Sequence, residues 1–402
     1  MSKIWLHIVG MGEGEFNSQK LELINSAKNI IGAPRLLKRV PTKEGQNIIK
    51  WNKPFKKMSQ EILSLRGEQT IILASGDPNY FGIGATLNSI LSEDEFISYP
   101  AVSSFQLAAS KMHWALQNVD CISLHGRMVE NLHKYLFPKN RILALTSDKN
   151  TLVEVASLLK QRGYEKSNLS VLENLGAEKE RIISFVVNEV KSQKIDDFYV
   201  LAIDCIKDND IKILPNIAGL PDESFICDGQ LTKREVRAIS LAKLAPFPNA
   251  ILWDIGAGSG SIAIEFMRSA RGAKAICFER DEKRISMIKT NAKNLGVPDL
   301  KIVNGDAVEN LANQPKPDVI FIGGNVANET LFEGCFKALK NGGRLVVNAV
   351  SIEGEKALYE RYKKLGGELI KIDINRAKKI GVYNVFEPKK TVTQWALTKG
   401  EK

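Results

Sequence analysis

Leu252-Trp253-Asp254-Ile255-Gly256-Ala257-Gly258-Ser259-Gly260-Ser261 is the stretch of this 402-residue chain that decides the fold of its second half. Its apolar beginning predicts a short buried strand over 250–255, and a helix is expected to begin at Ser261. The three glycines between them allow a tight turn and let a ligand approach the backbone closely. Because the first N–H groups of a helix have no intrahelical acceptor, they can bind a polar group at this loop. The stretch therefore predicts a strand–loop–helix unit that holds a ligand.

An acidic residue follows this loop at a position that suits a nucleotide-like cofactor. A second strand, 274–278, ends in Glu279, about 20 residues beyond the glycines, where a carboxylate can bind ribose hydroxyls. The alternative is a strand, turn and helix without a cofactor. The tight glycine spacing, opened by an aspartate, resembles the class I S-adenosylmethionine (SAM) methyltransferases. The resemblance implies that SAM is held by the loop and the acid, namely Asp254, Gly256, Ala257, Gly258, Ser259, Gly260 and Glu279.

Length and composition predict a globular protein of more than one domain. A chain of 402 residues exceeds what one core usually organises, so two domains, or three, are expected. The hydrophobic content of 44% and charged content of 25% are ordinary for a soluble protein. Since the sequence has no apolar run of membrane-spanning length and no signal-peptide pattern, we expect a cytoplasmic protein that does not enter a membrane.

Cysteine usage and net charge narrow the class of ligand. The five cysteines are scattered and form no CxxC pair, which argues against a disulfide framework and against a zinc site, so no metal is predicted. The net charge of +10 indicates an anionic partner. Nucleic acid and a small substrate with several carboxylates both satisfy that charge.

The first half alternates predicted strands with helices. Strands over 4–9, 70–74 and 95–100 are followed by loops at 10–14, 75–78 and 102–104. This alternation predicts a parallel sheet with helices on both faces, with Ser18 as the N-cap of the first helix. Ligands in such sheets bind at the carboxyl ends of the strands, so the loops are expected to cluster at one edge. Each loop taken alone is explained by ordinary turn chemistry.

Six motifs in order make the first half, residues 1–205, similar to a known family. They are Gly10-x-Gly12-x-Gly14, Ser75-Gly76-Asp77-Pro78, Pro100-Ala101-Val102-Ser103-Ser104, Leu124-His125-Gly126-Arg127, Leu145-Thr146-Ser147-Asp148-Lys149-Asn150 and Glu173-Asn174-Leu175-Gly176. Together they resemble the tetrapyrrole (corrin/porphyrin) methylases, and among them the precorrin C5-methyltransferases. One departure is Glu13, where the family often has proline. The resemblance implies SAM contacts at Gly10, Gly12, Gly14, Gly76, Asp77, Pro78, Ser103, Ser104 and Thr146. His125 and Arg127, beside these loops, are candidates for contact with substrate carboxylates, and a hydrogen bond at the end of a helix or strand is the alternative role for His125.

The polar, turn-rich segment 206–220 is predicted to be a linker, and 221–402 a second, Rossmann-like domain. Its sequence resembles the precorrin C15-methyltransferases (decarboxylating). The matching pieces are Asp228-Gly229, Thr232-Lys233-x-Glu235-Val236-Arg237, 253–261, Phe321-Ile322-Gly323-Gly324 and Leu345-Val346-x-Asn348-Ala349-Val350. The resemblance implies further SAM contacts at Thr232, Asp306, Ala307 and Gly323, and a substrate contact at Asn348.

Local patterns add structural expectations for the second half. Thr232 and Glu235 are spaced as a capping box, and Arg237 on the same helix is expected to be solvated. Residues 318–322 predict the central strand. A closing hairpin is expected from 380–387 and 391–398, with Trp395 in the core.

The two resemblances together imply one biosynthetic activity. It is SAM-dependent methylation of a precorrin-6-type tetrapyrrole at C5 and C15, with decarboxylation of a ring acetate, in corrin (cobalamin, vitamin B12) biosynthesis. The implied partner is this small molecule, with no nucleic acid and no membrane, and a homo-oligomer is expected. Methyl transfer needs mainly position and desolvation from the enzyme, which agrees with a sequence in which no Ser-His-Asp or Cys-His arrangement stands out.

Two other functions remain alternatives at this point. The first is a class I SAM-dependent RNA or protein methyltransferase. Amino-group methylases of nucleic acids usually carry an (Asp/Asn)-Pro-Pro-(Tyr/Phe) loop, whereas this chain has Gly323-Gly324-Asn325, and it has no aromatic-basic RNA-binding module. The second is a SAM-sensing or scaffold protein without catalysis, against which the intact glycine loops of both halves argue.

Overall fold

The computed structural model describes residues 4–12, 17–51, 54–191 and 194–401, and the chain forms two compact units. The first unit contains Met1–Val129 and Phe137–Ile211, and the second contains Glu130–Leu136 and Lys212–Lys402. Among the described residues, no helix has the length and apolarity that crossing a membrane requires. The same residues contain no group of three or more His, Cys, Asp and Glu side chains that could hold a metal ion.

The first sheet of the first unit is parallel throughout, as predicted. Its strands lie in the order β3-β2-β4-β1-β5. The elements are β1 (Leu6–Met11), α1 (Ser18–Ser26), β2 (Asn29–Gly32), α2 (Pro34–Leu37), β3 (Asn47–Lys50), α3 (Phe55–Ser64), β4 (Thr70–Ser75), α4 (Ile83–Leu87) and β5 (Phe96–Tyr99). The prediction of Ser18 as N-cap is wrong by one residue, because the Asn17 side chain accepts the hydrogen bond from the Lys20 N–H.

The second sheet of this unit is mainly antiparallel, in contrast to the first. Its elements are α5 (Ser104–Met112), β6 (Asp120–Ser123), β7 (Arg141–Leu145), α6 (Thr151–Gln161), β8 (Asn168–Glu173), β9 (Arg181–Val186) and β10 (Tyr199–Asp204). The order is β6-β7-β10-β8-β9, and only the β6–β7 pair is parallel. A short loop joins β8 to β9, and such a loop can connect antiparallel strands but not parallel ones.

The second unit is a seven-stranded sheet in the order β13-β12-β11-β14-β15-β19-β16. Its elements are α7 (Arg234–Leu244), β11 (Ile251–Ile255), α8 (Ser261–Ser269), β12 (Lys274–Glu279), α9 (Glu282–Asn294), β13 (Lys301–Asn304), α10 (Ala307–Asn310), β14 (Val319–Ile322), α11 (Glu329–Ala338), β15 (Arg344–Ala349), α12 (Ile352–Leu365), β16 (Glu368–Ile372), β17 (Asn375–Ile380), β18 (Tyr383–Pro388) and β19 (Val392–Thr398). The strand predicted to be central, β14, is central. One face of the sheet packs on α7, α8 and α9, and the other on α11 and α12.

The last strands pair differently from the predicted closing hairpin. The strand β18 pairs with β17, which precedes it, and these two form a separate sheet. The strand β19 lies between β15 and β16 and is antiparallel to both. The predicted pairing of 380–387 with 391–398 is therefore wrong. Trp395 on β19 is fully buried, as predicted.

Arg237 is the largest departure from the sequence expectations, because its side chain is fully buried rather than solvated. Its Nε donates to the Glu265 carboxylate at 2.6 Å, and its Nη1 lies 3.2 Å from Asp222. The predicted capping box is also absent. Lys233 is the N-cap of α7 without a side-chain bond, and Glu235 pairs with Arg376 at 2.6 Å. The Thr232 backbone carbonyl instead accepts a bond from Arg237.

Candidate functional sites

The glycine loop of the second unit connects β11 to α8, as predicted. Gly256, Gly258 and Gly260 have φ values of +71°, +58° and +76°, in the left-handed region that favours glycine. A Cβ atom at Gly256 would lie 3.4 Å from the Cα of Gly324, so this loop packs against the loop after β14. The loop has the open backbone and the adjoining helix N-terminus that a polar ligand requires.

Glu279 lies at the carboxyl end of β12 and contacts the glycine loop directly. Its Oε2 accepts a hydrogen bond from the Gly258 N–H at 2.9 Å. Its Oε1 accepts bonds from the backbone N–H groups of Arg280 and Asp281, at 2.9 and 3.1 Å. Glu279, which is predicted to bind the ribose hydroxyls, thus also fixes the conformation of the loop. Since each carboxylate oxygen can accept more than one bond, these contacts leave acceptor capacity for ligand hydroxyls.

Asp254 is almost completely buried, with 1% of its surface exposed. Its carboxylate accepts a 3.2 Å bond from the Ala263 N–H in the first turn of α8. The pKa of Asp254 is raised to about 7, chiefly by burial and in part by the negative charge of Glu279, whereas the bond from Ala263 opposes the rise. In this structure the Asp254 side chain supports the helix start beneath the loop, and its SAM contact stays a prediction.

The raised pKa of Asp254 predicts a stability that depends on pH. In the unfolded chain this carboxyl ionises near its ordinary value of 3.8, but in the folded protein it keeps its proton up to about pH 7. The folded state therefore binds the extra proton, and the free energy of unfolding falls as pH rises through this window. The shift corresponds to an upper bound of about 4 kcal/mol. Asp254→Asn should remove this component, which denaturant unfolding at pH 5 and pH 8 would measure.

A control separates this effect from the chemical change itself. Asp306→Asn alters an exposed aspartate in the same unit, where asparagine is an equally good N-cap. If Asp254→Asn loses as much stability between pH 5 and pH 8 as the unchanged chain does, Asp254 is not the group responsible.

Other predicted residues of the second unit have identifiable structural roles. The Asp306 carboxylate caps α10 by accepting from the Val308 N–H at 2.8 Å, and Ala307 is the first residue of that helix. The Gly323 N–H donates to the Ile255 carbonyl at 3.1 Å, which places Gly323 beside the glycine loop. Within the loop, the Ala257 N–H donates to the Phe278 carbonyl, and the Ser259 carbonyl accepts from Asn291.

Asn348 lies in a buried polar group rather than on an open surface. Its Nδ2 donates to the Ser240 hydroxyl at 2.9 Å, and its Oδ1 accepts from Gln394 Nε2 at 2.8 Å. Gln394 also donates to Ser240 at 3.0 Å. The proposed substrate contact of Asn348 therefore requires this group to rearrange, and it stays a prediction.

Sequence reasoning missed Arg284, which holds a second segment over the glycine loop. Its Nε donates to Asp228 and its Nη2 to the Gln230 side chain, both at 2.8 Å. The Gln230 carbonyl lies 3.7 Å from the position of a Cβ at Gly258. The segment 228–230 thus borders the loop, and the Asp228-Gly229 motif was the available signal.

In the first unit, the predicted clustering of loops at the strand ends is confirmed. A Cβ atom at Gly10 would lie 2.4 Å from the Gly76 carbonyl oxygen and 2.8 Å from that of Tyr99. Gly76 has a φ of +64°, and a Cβ there would lie 3.3 Å from the Cα of Ser103. Among the described residues, none has an atom within 4 Å of the Cβ position of Gly12, whereas Glu13 and Gly14 lie outside the described residues.

Lys20, which sequence reasoning also missed, joins two of these loops. Its ammonium donates to the Gly10 carbonyl at 2.7 Å and to the Pro100 carbonyl at 3.2 Å. Partial burial lowers the pKa of Lys20. A lysine on α1 gives no local sign of this role, because both carbonyls belong to other elements.

The remaining predicted residues of this loop cluster shape its backbone. The Asp77 carboxylate accepts from the Asn79 N–H at 2.8 Å and turns the chain after β4. The Pro78 carbonyl accepts from the Gly84 N–H at 2.8 Å. Ser103 is the N-cap of α5 in a capping box with Gln106, and Ser104 is the first residue of that helix.

The predicted substrate residues follow β6 and lie near the loop after β7. His125 Nδ1 lies 3.1 Å from the Thr146 carbonyl oxygen, and the Thr146 hydroxyl donates to the Tyr199 carbonyl at 2.8 Å. His125 and Arg127 are both exposed. Within the described part of the chain, the Arg127 guanidinium forms no hydrogen bond or ion pair, so it is available to bind a carboxylate.

Comparison with known proteins identifies this arrangement. The model of the Tetrapyrrole (Corrin/Porphyrin) Methylases matches residues 6–191, and that of the Precorrin methyltransferase domain matches residues 223–399. The chain is therefore an enzyme of the methyltransferase class with two α/β domains. It belongs to the family of precorrin-6Y C(5,15)-methyltransferases (decarboxylating), since it is 41% identical to such a protein from Sinorhizobium sp over 98% of this chain and 97% of the relative.

Two further matches each cover less than half of the chain. A probable cobalt-precorrin-6B C(15)-methyltransferase (decarboxylating) of Pyrobaculum aerophilum is 31% identical over 42% of this chain and 90% of that protein. The crystal structure of the C-terminal domain of precorrin-6Y C5,15-methyltransferase from Rhodobacter capsulatus is 36% identical. It covers 46% of this chain and 98% of that chain, with a TM-score of 0.44.

Proposed function

We propose that the chain methylates a precorrin-6-type tetrapyrrole at C5 with its first domain and at C15 with its second, which also removes the carboxyl group of a ring acetate as CO2 and leaves a methyl group on the ring. The domains proposed for these reactions are 1–205 and 221–402, joined by 206–220. The observation that carries the proposal is that each unit has its own loop cluster at the carboxyl ends of parallel strands. The name shared by the whole-chain relatives supports it.

SAM is proposed as the methyl donor in both domains. The residues present fit such a ligand, because the loop glycines leave the backbone open and Glu279 has acceptor capacity for ribose hydroxyls. When bound, SAM supplies an electrophilic methyl group. The proposed SAM contacts include the loops around Gly10, Gly76 and Ser103 in the first domain, and around Gly256 and Asp306 in the second.

The chemistry asks for placement more than for a catalytic nucleophile. The bridging carbons of a reduced tetrapyrrole are enamine-like and can attack a methyl donor in line, so the domains need to position the ring and exclude water. Loss of an acetate carboxylate leaves an electron pair on carbon. A protonated or imine-like pyrrole of the substrate can accept that pair, which requires no further cofactor. Substrate carboxylates suit the net charge of +10.

Mass spectrometry of the product tests this function. The purified chain is incubated with SAM and a precorrin-6-type tetrapyrrole, and the expected product has gained two methyl groups and lost one carboxyl. A chain that leaves the tetrapyrrole unchanged but transfers methyl groups to RNA or protein would replace this proposal with the alternative class I function. A cytoplasmic location is part of the proposal.

A homo-oligomer is also proposed, and the β17–β18 hairpin supports it. Five large apolar side chains are exposed there, with Ile380 at 59%, Val382 at 83%, Tyr383 at 74%, Val385 at 37% and Phe386 at 75%. An isolated two-stranded hairpin is marginally stable in water, and exposed apolar patches usually mark an interface.

Light scattering after size exclusion should therefore detect an oligomer that Phe386→Glu dissociates. A charge placed on the apolar hairpin would have to be buried without a partner in the interface. Asn384→Glu adds the same charge at an exposed polar position of the same hairpin and serves as the control. A monomeric unaltered chain would contradict the proposal.

A further inference from the structure

Two exposed aromatic side chains, Tyr80 and Phe81, follow the 75–78 loop of the first unit. Each is 42% exposed, and their ring centroids lie 5.1 Å apart. Both rings lie against Phe105, which is buried, with centroid distances of 5.3 and 5.6 Å. The two rings thus pack on the buried Phe105 on one side and are exposed to solvent on the other. Adjacent exposed aromatic rings on a fixed support form a contact surface for an apolar or conjugated partner.

The backbone at Phe81 is held in an unfavourable conformation. Its φ of +57° lies in the left-handed region, which a bulky side chain rarely adopts. The glycines that follow permit the turn, since a Cβ at Gly82 would lie 2.5 Å from the Pro78 carbonyl oxygen. Strain of this kind persists where the surrounding structure enforces it, and it is common at ligand sites. Here it directs a large ring to a partly exposed position.

The aromatic pair adjoins the loop cluster proposed to bind SAM. Phe105 is in the first turn of α5, two residues after Ser103, which contacts Gly76. On the other side, Tyr80 lies next to Cys121 on β6, the strand that leads to His125 and Arg127. Burial, followed by the interactions with Cys121, raises the pKa of Tyr80 to about 12. A phenol is neutral at pH 7 even at its ordinary pKa, so Tyr80 does not repel an anionic substrate.

We propose that Tyr80 and Phe81 bind one face of the tetrapyrrole ring in the first domain and so determine which ring face meets the methyl donor. This inference rests on the proposed function. A reduced tetrapyrrole has a broad, partly conjugated face, which suits aromatic rings, and a rim of carboxylates, which suits cations. Arg127 provides such a cation after β6. Tyr80 and Phe81 then contact the tetrapyrrole, whereas the loops around Gly10, Gly76 and Ser103 contact SAM.

The test measures steady-state kinetics in a Gly258→Arg background, in which only the first domain is expected to act. Phe81→Gly removes the ring and also relieves the backbone strain, so it should fold at least as well as the unaltered chain. We expect the KM for the tetrapyrrole to rise about tenfold or more, with the SAM affinity unchanged. Tyr80→Leu should act in the same direction, whereas Phe81→Tyr keeps the ring and should restore the KM.

Ile182→Ala is the matched control, because Ile182 is also 42% exposed but lies on the edge strand β9. An unchanged KM in Phe81→Gly and Tyr80→Leu would overturn the inference and leave the proposed function standing. A change in oligomeric state without a change in KM would also overturn it, because the pair would then contact a second copy of the chain. Failure of the unaltered chain to methylate any tetrapyrrole would instead remove the proposed function itself.

Discussion

Gly258→Arg is expected to abolish the reaction of the second domain and to preserve that of the first. Gly258 has a φ of +58°, which costs a non-glycine residue about 1–2 kcal/mol. A Cβ at this position would lie 3.7 Å from the Gln230 carbonyl, so an arginine side chain would project between the loop and the segment 228–230. That space is where we propose SAM binds.

The tetrapyrrole product and the number of SAM molecules bound per chain both report the loss of the second domain's reaction. The tetrapyrrole should gain one methyl group instead of two and should keep its carboxylate, since C15 methylation and decarboxylation are assigned to the second domain. Isothermal titration calorimetry should give one bound SAM per chain instead of two. The loss of the second reaction is expected to exceed 100-fold, because a blocked site loses the placement on which methyl transfer depends.

Gly342→Arg separates blocking of the site from backbone strain. Gly342 also has a positive φ, +74°, and no described residue has an atom within 4 Å of its Cβ position, in a loop between α11 and β15 of the same unit. The same residue is thus introduced with a similar conformational cost away from the glycine loop. If Gly258→Arg still decarboxylates the substrate, or if Gly342→Arg abolishes decarboxylation equally, the assignment of this loop as the site is wrong.

The glycine loops could be predicted because their chemistry is local. A strand, a turn that requires positive φ and a helix start occupy about ten consecutive residues, and their sequence carries each requirement. Glu279 could be placed because the helix α8 and one further strand fix its distance from the loop along the sheet. These predictions concern which residues meet at the carboxyl ends of adjacent parallel strands. The order in which strands and helices are connected decides which residues those are.

Interactions between distant segments could not be predicted in the same way. Arg237 is a polar residue on an amphipathic helix, and its partner Glu265 lies on another helix, so the sequence does not reveal that the two are buried together. The Glu265 carboxylate also accepts from the backbone N–H groups of Gly219 and Leu220, at 2.6 and 3.0 Å. Such contacts satisfy a charge pair that would otherwise be costly to bury.

Strand pairing failed for a related reason. The sequence of β19 predicts a strand, but its insertion between β15 and β16 depends on tertiary contacts. The predicted hairpin joined neighbours in sequence, whereas β18 pairs with β17. Lys20 and Arg284 were missed because each joins segments through bonds to groups on other elements.

Gly10→Ala is expected to abolish the reaction of the first domain. A Cβ here would lie 2.4 Å from the Gly76 carbonyl oxygen, 2.8 Å from that of Tyr99 and 2.9 Å from the Ala101 nitrogen. All three are backbone atoms, at the end of β5 and in the segments that follow β4 and β5, so no side-chain rotation can relieve the contact. The methyl group must push apart the loops that follow β1, β4 and β5. Overpacking of this kind typically costs about 1–3 kcal/mol, and here the displacement falls on the proposed SAM site.

SAM binding to Gly10→Ala should be measured in the Gly258→Arg background, where the one SAM molecule that still binds each chain is bound by the first domain. We expect the binding of this SAM molecule to be lost and the C5 methyl group to be absent from the product. In an otherwise unaltered chain, Gly10→Ala should leave SAM binding by the second domain intact. That result would show that the second domain is still folded. A first domain that binds SAM normally despite Gly10→Ala would mean that the loop cluster tolerates separation and does not hold the ligand.

Gly12→Ala distinguishes packing between loops from contact with the ligand. No atom of the described residues lies within 4 Å of its Cβ position, and its φ is not positive, so the substitution should preserve the melting temperature. If Gly12→Ala lowers SAM affinity without loss of stability, the added methyl group must meet the ligand itself, and Gly12 then lines the site. If the SAM affinity of Gly12→Ala is unchanged, Gly10 is the glycine that the first domain requires. Its role is then to let three loops meet around the ligand. Either result locates the ligand relative to β1, because the two glycines lie at and just beyond its carboxyl end.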